Sequence, residues 1–256
     1  MSLTKLALRF AAPLPDLEGF DRYLFVGPHP DDIEIGAGAT VSRLVTLGKQ
    51  VTFLICTDGR YGDENTALRG QALAAVRKEE AQRSAGLLGV TDVRFLGLSD
   101  GGFYPQEELF SGIAKVIGDV QPEAIFAPDP WVGSECHVDH LNVGHAVRRL
   151  AYLASNGGIM AQYGTKPAPI QALAYYMTAR PNRFVCTRGH LSKQLDAIFT
   201  CHESQFPAGC AGANSIRLYL KLRALDFGIR SLKGQAEGFR VLGQTQMHCL
   251  PEADDP

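Results

Sequence analysis

Along residues 23–155, short apolar runs alternate with longer stretches whose apolar residues recur every three or four positions. These are the periods of buried strands and of amphipathic helices. Tyr23-Leu24-Phe25-Val26 reads as a strand that breaks at Gly27-Pro28. A helix is expected over Gly38 to Leu47, stopped by Gly48, and a second strand over Gln50 to Cys56. A loop, TDGRYGDEN, leads into a long helix through RKEEAQRSAGLLG that Gly89 closes. DVRFLGL then reads as strand, EELFSGIAKVIGDV as helix, EAIFAPDP as strand and HVDHLNVGHAVRRLAYLAS as helix. Beyond about residue 160 the rhythm loosens. ALAYYMTA and RFVCT look like strands, and GHLSKQLDAIFTCH and SIRLYLKLRALDFGI like helices.

Alternating strand and helix imply right-handed crossovers and a parallel sheet covered on both faces. The pattern predicts a Rossmann-like three-layer α/β/α fold with a mostly parallel sheet and an elaborated C-terminal third. No linker marks a second unit, so residues 1–256 read as one domain with a core over about 20–245. In such sheets the ligand site lies beyond the carboxyl ends of the strands.

Composition narrows the setting. With 45% hydrophobic and 20% charged residues the chain has a globular profile. A net charge of -2 gives no electrostatic reason to expect nucleic acid or an anionic membrane. No apolar run approaches the roughly 18 residues of a membrane span. The N-terminal MSLTKLALRFAAPLP holds one lysine, Arg9 interrupts its apolar patch, and no small-residue cleavage site follows. The expectation is a cytoplasmic protein, with no membrane or nucleic-acid partner and homo-oligomerisation left open. Six cysteines are scattered without paired spacing, which predicts reduced thiols and no thiolate metal site.

Two clusters carry the candidate chemistry. Pro28-His29-Pro30-Asp31-Asp32 places an imidazole and two carboxylates directly after the first strand. Adjacent aspartates at a helix start also serve as caps, but that reading leaves His29 unexplained. Cys136-His137-Val138-Asp139-His140 follows the fourth strand, and histidines three apart share a helix face. Two histidines and a carboxylate form the ligand set of a hydrolytic zinc centre whose fourth position stays open for water. A nearby carboxylate can take that water's proton.

Together the clusters resemble the LmbE/PIG-L family of deacetylases, whose signature is (A/P)HPDD followed later by HxDH. Weaker similarities continue through Arg77-Lys78-Glu79-Glu80-Ala81, the LGLSDG stretch from Leu96 to Gly101, and CHESQF around His202, so the resemblance spans roughly residues 23 to 243. It implies a zinc-dependent deacetylase of an N-acetylated amino sugar, with iron or cobalt as substitute metals and a small-molecule substrate as partner. It makes His29, Asp32 and His140 the metal ligands and Asp31 the general base. His137 would stabilise the oxyanion or protonate the leaving amine, with Asp139 orienting and charging it. Arg77, Asp100 and Arg60 stand where family members contact substrate, although a helical RKEE also reads as a solvated face and Asp100-Gly101-Gly102 as a turn. The sequence departs from the family in HPDDIE, which moves an acid to Glu34. It departs again at Glu135, where some members place an oxyanion-assisting tyrosine.

Other features carry less. His202 and Gln205 could line an entrance, and Trp131 could wall a sugar pocket or simply pack. His145, His190 and His248 belong to no constellation. Gly36-Ala37-Gly38 superficially resembles a dinucleotide-binding loop, but it lacks the third glycine and lies after the strand-to-helix turn.

Overall fold

The computed structural model describes residues 3–62, 67–248, 250 and 252; the end of the TDGRYGDEN loop and Cys249 lie outside them. The elements in chain order are α1 (Leu3–Ala11), β1 (Arg22–Gly27), α2 (Asp32–Thr46), β2 (Gln50–Thr57), α3 (Gly70–Leu88), β3 (Asp92–Leu98), α4 (Gln106–Val120) and β4 (Ala124–Pro128). Then follow α5 (Val138–Leu153), α6 (Gly157–Gln162), β5 (Ala172–Tyr176), β6 (Arg183–Cys186), α7 (Leu191–Cys201), α8 (Ala211–Ser231) and β7 (Ala236–Gly243).

These strands form one sheet in the order β3-β2-β1-β4-β5-β7-β6. The first five run parallel, β7 is antiparallel to β5, and β6 is antiparallel to β7. The mostly parallel three-layer architecture is therefore present, and the C-terminal elaboration is the antiparallel β7-β6 edge with α7 and α8. Alternate residues of each strand feed opposite faces. Leu24, Val26, Leu54, Ile125 and Leu173 pack under α4 and α5. Tyr23, Phe25, Phe53 and Phe126 pack under α2 and α3, where Phe25 and Phe126 stack with ring centroids 4.2 Å apart. The strand order reverses between β1 and β4, both of which pair with their neighbours in parallel. Loops leaving such a switch point diverge and open a crevice.

α2 begins six residues earlier than its sequence pattern suggests, at Asp32 and not Gly38. Two glycines obscured that first turn, yet packing requires both: a Cβ at Gly36 would lie 2.2 Å from the Tyr176 ring, and one at Gly38 would lie 2.9 Å from Gln194. β7, α1 and α6 also escaped the pattern. β7 turns Glu237 and Arg240 toward protein, so its polar residues disguise a buried strand. Glu237 accepts the Ala39 and Thr40 N–H groups of α2 and the Gln194 amide.

Burial pushes the Glu237 carboxyl up to about 7, against these hydrogen bonds. A raised acid favours folding below its ordinary pKa near 4.5, and that contribution is lost as pH rises through about 7. A shift of this size corresponds to roughly 3 kcal/mol. Glu237→Gln should therefore remove part of the stability loss between pH 5 and 8, read as a flatter urea midpoint against pH. An identical slope in both proteins would refute the assignment.

Candidate active site

Four loops at the carboxyl edge of the sheet build the site. The β1–α2 turn supplies His29 and Asp31 and the start of α2 Asp32, while the β4–α5 loop supplies Glu135 and His137 and the first turn of α5 Asp139 and His140. Loops after β2 and β3 supply Asp58–Tyr61 and Asp100–Tyr104.

The ring nitrogens of His29, His137 and His140 include one from each residue lying within 4.8 Å of one another, a grouping able to hold a metal ion. Asp32 joins two of the three. Its Oδ2 lies 3.0 Å from His29 Nδ1 and accepts the His29 N–H at 2.8 Å, while its Oδ1 lies 3.4 Å from His140 Nε2. His29 Nε2 lies 3.0 Å from Asp139 Oδ2.

The electrostatics of this cluster favour a cation. Burial opposes charge on His29, but Asp139 and Asp32 outweigh it and hold the imidazole up to about 10. Burial opposes charge on His140 as well, and Asp32 raises it to about 9. Asp32 is held well below the usual carboxylate range despite burial, chiefly by His140 and then His29. Asp31, Asp32 and Asp139 are all buried, and the buried Arg77 guanidinium meets Asp31 alone among them. Protons on His29 and His140 stand in for the missing positive charge, and a dication displacing them would meet the same need. The nitrogen and oxygen donors suit zinc, iron or cobalt.

Asp31 is set apart from Asp32 by its backbone. It occupies the N-cap of α2 at φ 140°, a positive value that non-glycine residues rarely adopt, so the two adjacent carboxylates diverge. Burial pushes the Asp31 carboxyl up to about 6; Asp32 adds to the rise, and Arg77 opposes it. Arg77 is 3% exposed and donates to Asp31 Oδ2 at 3.2 Å, Pro30 O at 3.0 Å and Gly59 O at 3.2 Å. It thus meets Asp31 where substrate contact had been expected, because the turn of α3 that carries it faces the sheet edge. A Cβ at Gly59 would come within 2.5 Å of that guanidinium, so the loop after β2 also depends on its presence.

Asp139 also differs from expectation. Its carboxylate accepts from Gly101 N at 2.7 Å, Gly102 N at 2.9 Å and the Tyr104 hydroxyl at 2.9 Å. Burial disfavours its charge, but His29 and these donors hold it down to about 2. His137 Nδ1 lies 3.8 Å from it and accepts the Asp139 N–H at 3.3 Å. Burial, then His29 and His140, keep the His137 pKa below its usual value, with Asp139 only partly offsetting them. These influences work against the expected imidazolium, and with Nδ1 accepting the Asp139 N–H the proton of a neutral ring lies on Nε2.

The remaining expected contacts divide. Asp100 is buried and receives the Tyr61 N–H, so it braces the loop. Arg60 is partly exposed, bound through its Nε and Nη2 to Asp58. Trp131 lies half exposed against Arg148 and His145. His190 meets the Ser42 hydroxyl and His248 stacks on Tyr152, both remote from the cluster. The five described cysteines are free.

Three residues of the site escaped functional assignment from sequence. Glu34 is buried, receives the Ser84 hydroxyl at 2.6 Å and lies 3.3 Å from the fully buried His202. This group packs behind Asp31, whose carboxyl feels the His202 charge. Tyr104 steadies Asp139, and Glu135 touches both histidines of its loop. The signal for Glu34 and Glu135 was their departure from the motif; nothing near Tyr104 distinguished it from a core aromatic.

Comparison with known proteins agrees with this geometry. The family model of PIG-L, GlcNAc-PI de-N-acetylase, matches residues 24–151. The diacetylchitobiose deacetylase of Thermococcus kodakarensis is 33% identical over 98% of this chain and 93% of its own length. A 1D-myo-inositol 2-acetamido-2-deoxy-alpha-D-glucopyranoside deacetylase of Kineococcus radiotolerans is 32% identical over 67% of this chain and 56% of its own. The N,N'-diacetylchitobiose deacetylase structure from Pyrococcus horikoshii superposes with a TM-score of 0.87 at 28% identity, covering 99% of this chain and 98% of that one. With the HPDD turn and the histidine loop both inside the matched segment, the chain belongs to the PIG-L family of GlcNAc-PI de-N-acetylases.

Proposed function

We propose that this chain is a metal-dependent N-deacetylase that hydrolyses the acetamide of an N-acetylglucosamine conjugate, releasing acetate and a free amine. The observation that carries this reading is the pairing of a strained, buried carboxylate, Asp31, with the cation-seeking cluster of His29, Asp32 and His140. His29, Asp32 and His140 would hold the metal, zinc being the expected ion. When bound, it supplies Lewis acidity that polarises the acetamide carbonyl and acidifies a water.

The chain's own groups do the rest. Asp31 Oδ accepts the proton of the attacking water, a task suited by a carboxyl held nearer neutrality than usual. Arg77 aims that carboxylate and keeps it ionised. His137 offers its Nε2–H to the carbonyl oxygen as negative charge develops there. Asp139, fixed by the Gly101 and Gly102 N–H groups and Tyr104, orients His29 and, through its own N–H, the His137 ring. Arg60 and the loops after β2 and β3 border the entrance and are assigned to the sugar or its aglycone.

A disaccharide substrate of the diacetylchitobiose type is favoured by the relative that matches this chain over nearly its whole length. The sequence supports a cytoplasmic reaction within one catalytic domain. Among the described residues, no helix is long and apolar enough to cross a membrane. Acetate release should be faster from N,N'-diacetylchitobiose than from an N-acetylglucosaminyl inositol, and no release from any acetamido sugar would overturn the deacetylase reading.

Metal content provides a separate check. Purified protein should carry about one zinc-like ion per chain. Elemental analysis without metal, together with no activation by zinc, iron or cobalt, would sink the metal assignment. His137→Ala distinguishes the proposed ligand set from a three-histidine one: metal should stay in this variant and be lost in Asp32→Asn.

A further inference from the structure

Glu135 stands on the short loop between β4 and α5, closed by its own N–H bonded to Val132 O at 2.9 Å. Its two carboxylate oxygens have separate partners. Oε1 accepts the His137 N–H at 2.7 Å, and Oε2 lies 2.9 Å from His140 Nδ1. An ionised carboxylate can only accept, so Nδ1 of His140 must be the donor and carry a proton. That leaves Nε2, 3.4 Å from Asp32 Oδ1, as the nitrogen that gives up its proton and turns a lone pair inward when a metal displaces it. The His140 side chain is 14% exposed and that of Glu135 24%, so solvent competes little for this contact.

We propose that Glu135 is the positioning residue of the metal centre: it fixes the His140 tautomer and ring angle so that Nε2 faces the metal, and it makes His140 the more basic ligand. This inference rests on the assignment of His140 as a ligand. A carboxylate behind a ligating histidine raises ligand basicity, and removing such a partner typically weakens metal binding about 10- to 100-fold. The same carboxylate holds the His137 N–H, so one side chain couples the ligand histidine to the loop that presents His137.

The test measures zinc affinity by chelator competition on the full chain, with thermal melting of the metal-free protein beside it. Glu135→Ala should bind zinc about 10- to 100-fold more weakly than wild type, with metal-free melting little changed. Glu135→Gln should recover part of that affinity, because its amide oxygen still accepts from Nδ1 while its NH2 is left facing the His137 N–H. Long-range proton–nitrogen NMR of the zinc-loaded wild type should show His140 protonated at Nδ1, with a downfield proton that moves upfield in Glu135→Gln. Zinc affinity of Glu135→Ala within threefold of wild type would overturn the proposal, as would equal losses in both variants matched by equal losses in metal-free melting. If Glu135→Ala does not fold, the NMR comparison decides, and an unmoved proton refutes the assignment. Wild-type protein that binds no zinc would instead refute the metal reading itself.

Discussion

Asp31→Asn should retain its metal and lose roughly two to four orders of magnitude in kcat/KM, the usual cost of removing a general base. The substitution preserves shape and leaves an oxygen for Arg77 Nη2, now 3.2 Å from Asp31 Oδ2. Asparagine also tolerates positive φ better than most residues, so the backbone at φ 140° need not rearrange. What disappears is the ability to accept a proton. Removing a negative charge beside Asp32 relieves repulsion within the turn, since Asp32 is among the groups that raise Asp31. Arg77 keeps the Pro30 and Gly59 carbonyls as partners, so the main loss should fall on catalysis, and the melting temperature reads the cost of the broken ion pair separately. Acetate release and elemental analysis on one preparation separate this from a ligand mutation: His29→Ala or His140→Ala should lose metal and activity together. Near-full turnover in Asp31→Asn would remove the base from the mechanism.

The two motifs that define the site were legible because their chemistry is concentrated. An imidazole and two carboxylates crowd four residues after β1, and two histidines with an aspartate crowd four residues after β4. Strand alternation then placed both at one sheet edge, where the strand order reverses. What sequence could not supply was the direction of each side chain. Arg77 lies on α3 in a run of charges that resembles a solvated face, and only the crossing of α3 over the sheet turns it inward while Glu79 remains outside. The family resemblance makes Asp139 the partner of His137. Tertiary placement of the Gly101-Gly102 turn, with both glycines at φ 76°, instead aims two N–H groups at its carboxylate and leaves its Oδ2 against His29. The C-terminal third was harder for a related reason. β5 and β6 are short, β7 carries the half-buried Glu237 and the buried Arg240, and their partners are set by long-range pairing with no local signature.

Arg77→Met gives the second large effect, and it is expected in two readouts at once. In the folded protein Asp31 is raised above its ordinary value of 3.8 to about 6, so its contribution to stability is present below 3.8 and lost as pH rises through about 6. Arg77 is the largest influence lowering that carboxyl. Without the guanidinium the Asp31 pKa rises further, and the stability lost at neutral pH grows. Removing one member of a buried ion pair typically costs about 3–5 kcal/mol, and here the Gly59 and Pro30 carbonyls lose a donor as well. Because the base must be ionised to accept a proton, the acidic limb of kcat/KM should move to higher pH in Arg77→Met. Arg77→Lys should fall between, since one ammonium cannot reproduce a planar fork that reaches Gly59 O, Pro30 O and Asp31 together. If Arg77 served only to contact the sugar, the variant would raise KM and leave both the acidic limb and the melting temperature in place. That combination would return Arg77 to the substrate side of the site and leave burial and Asp32 alone to set the base.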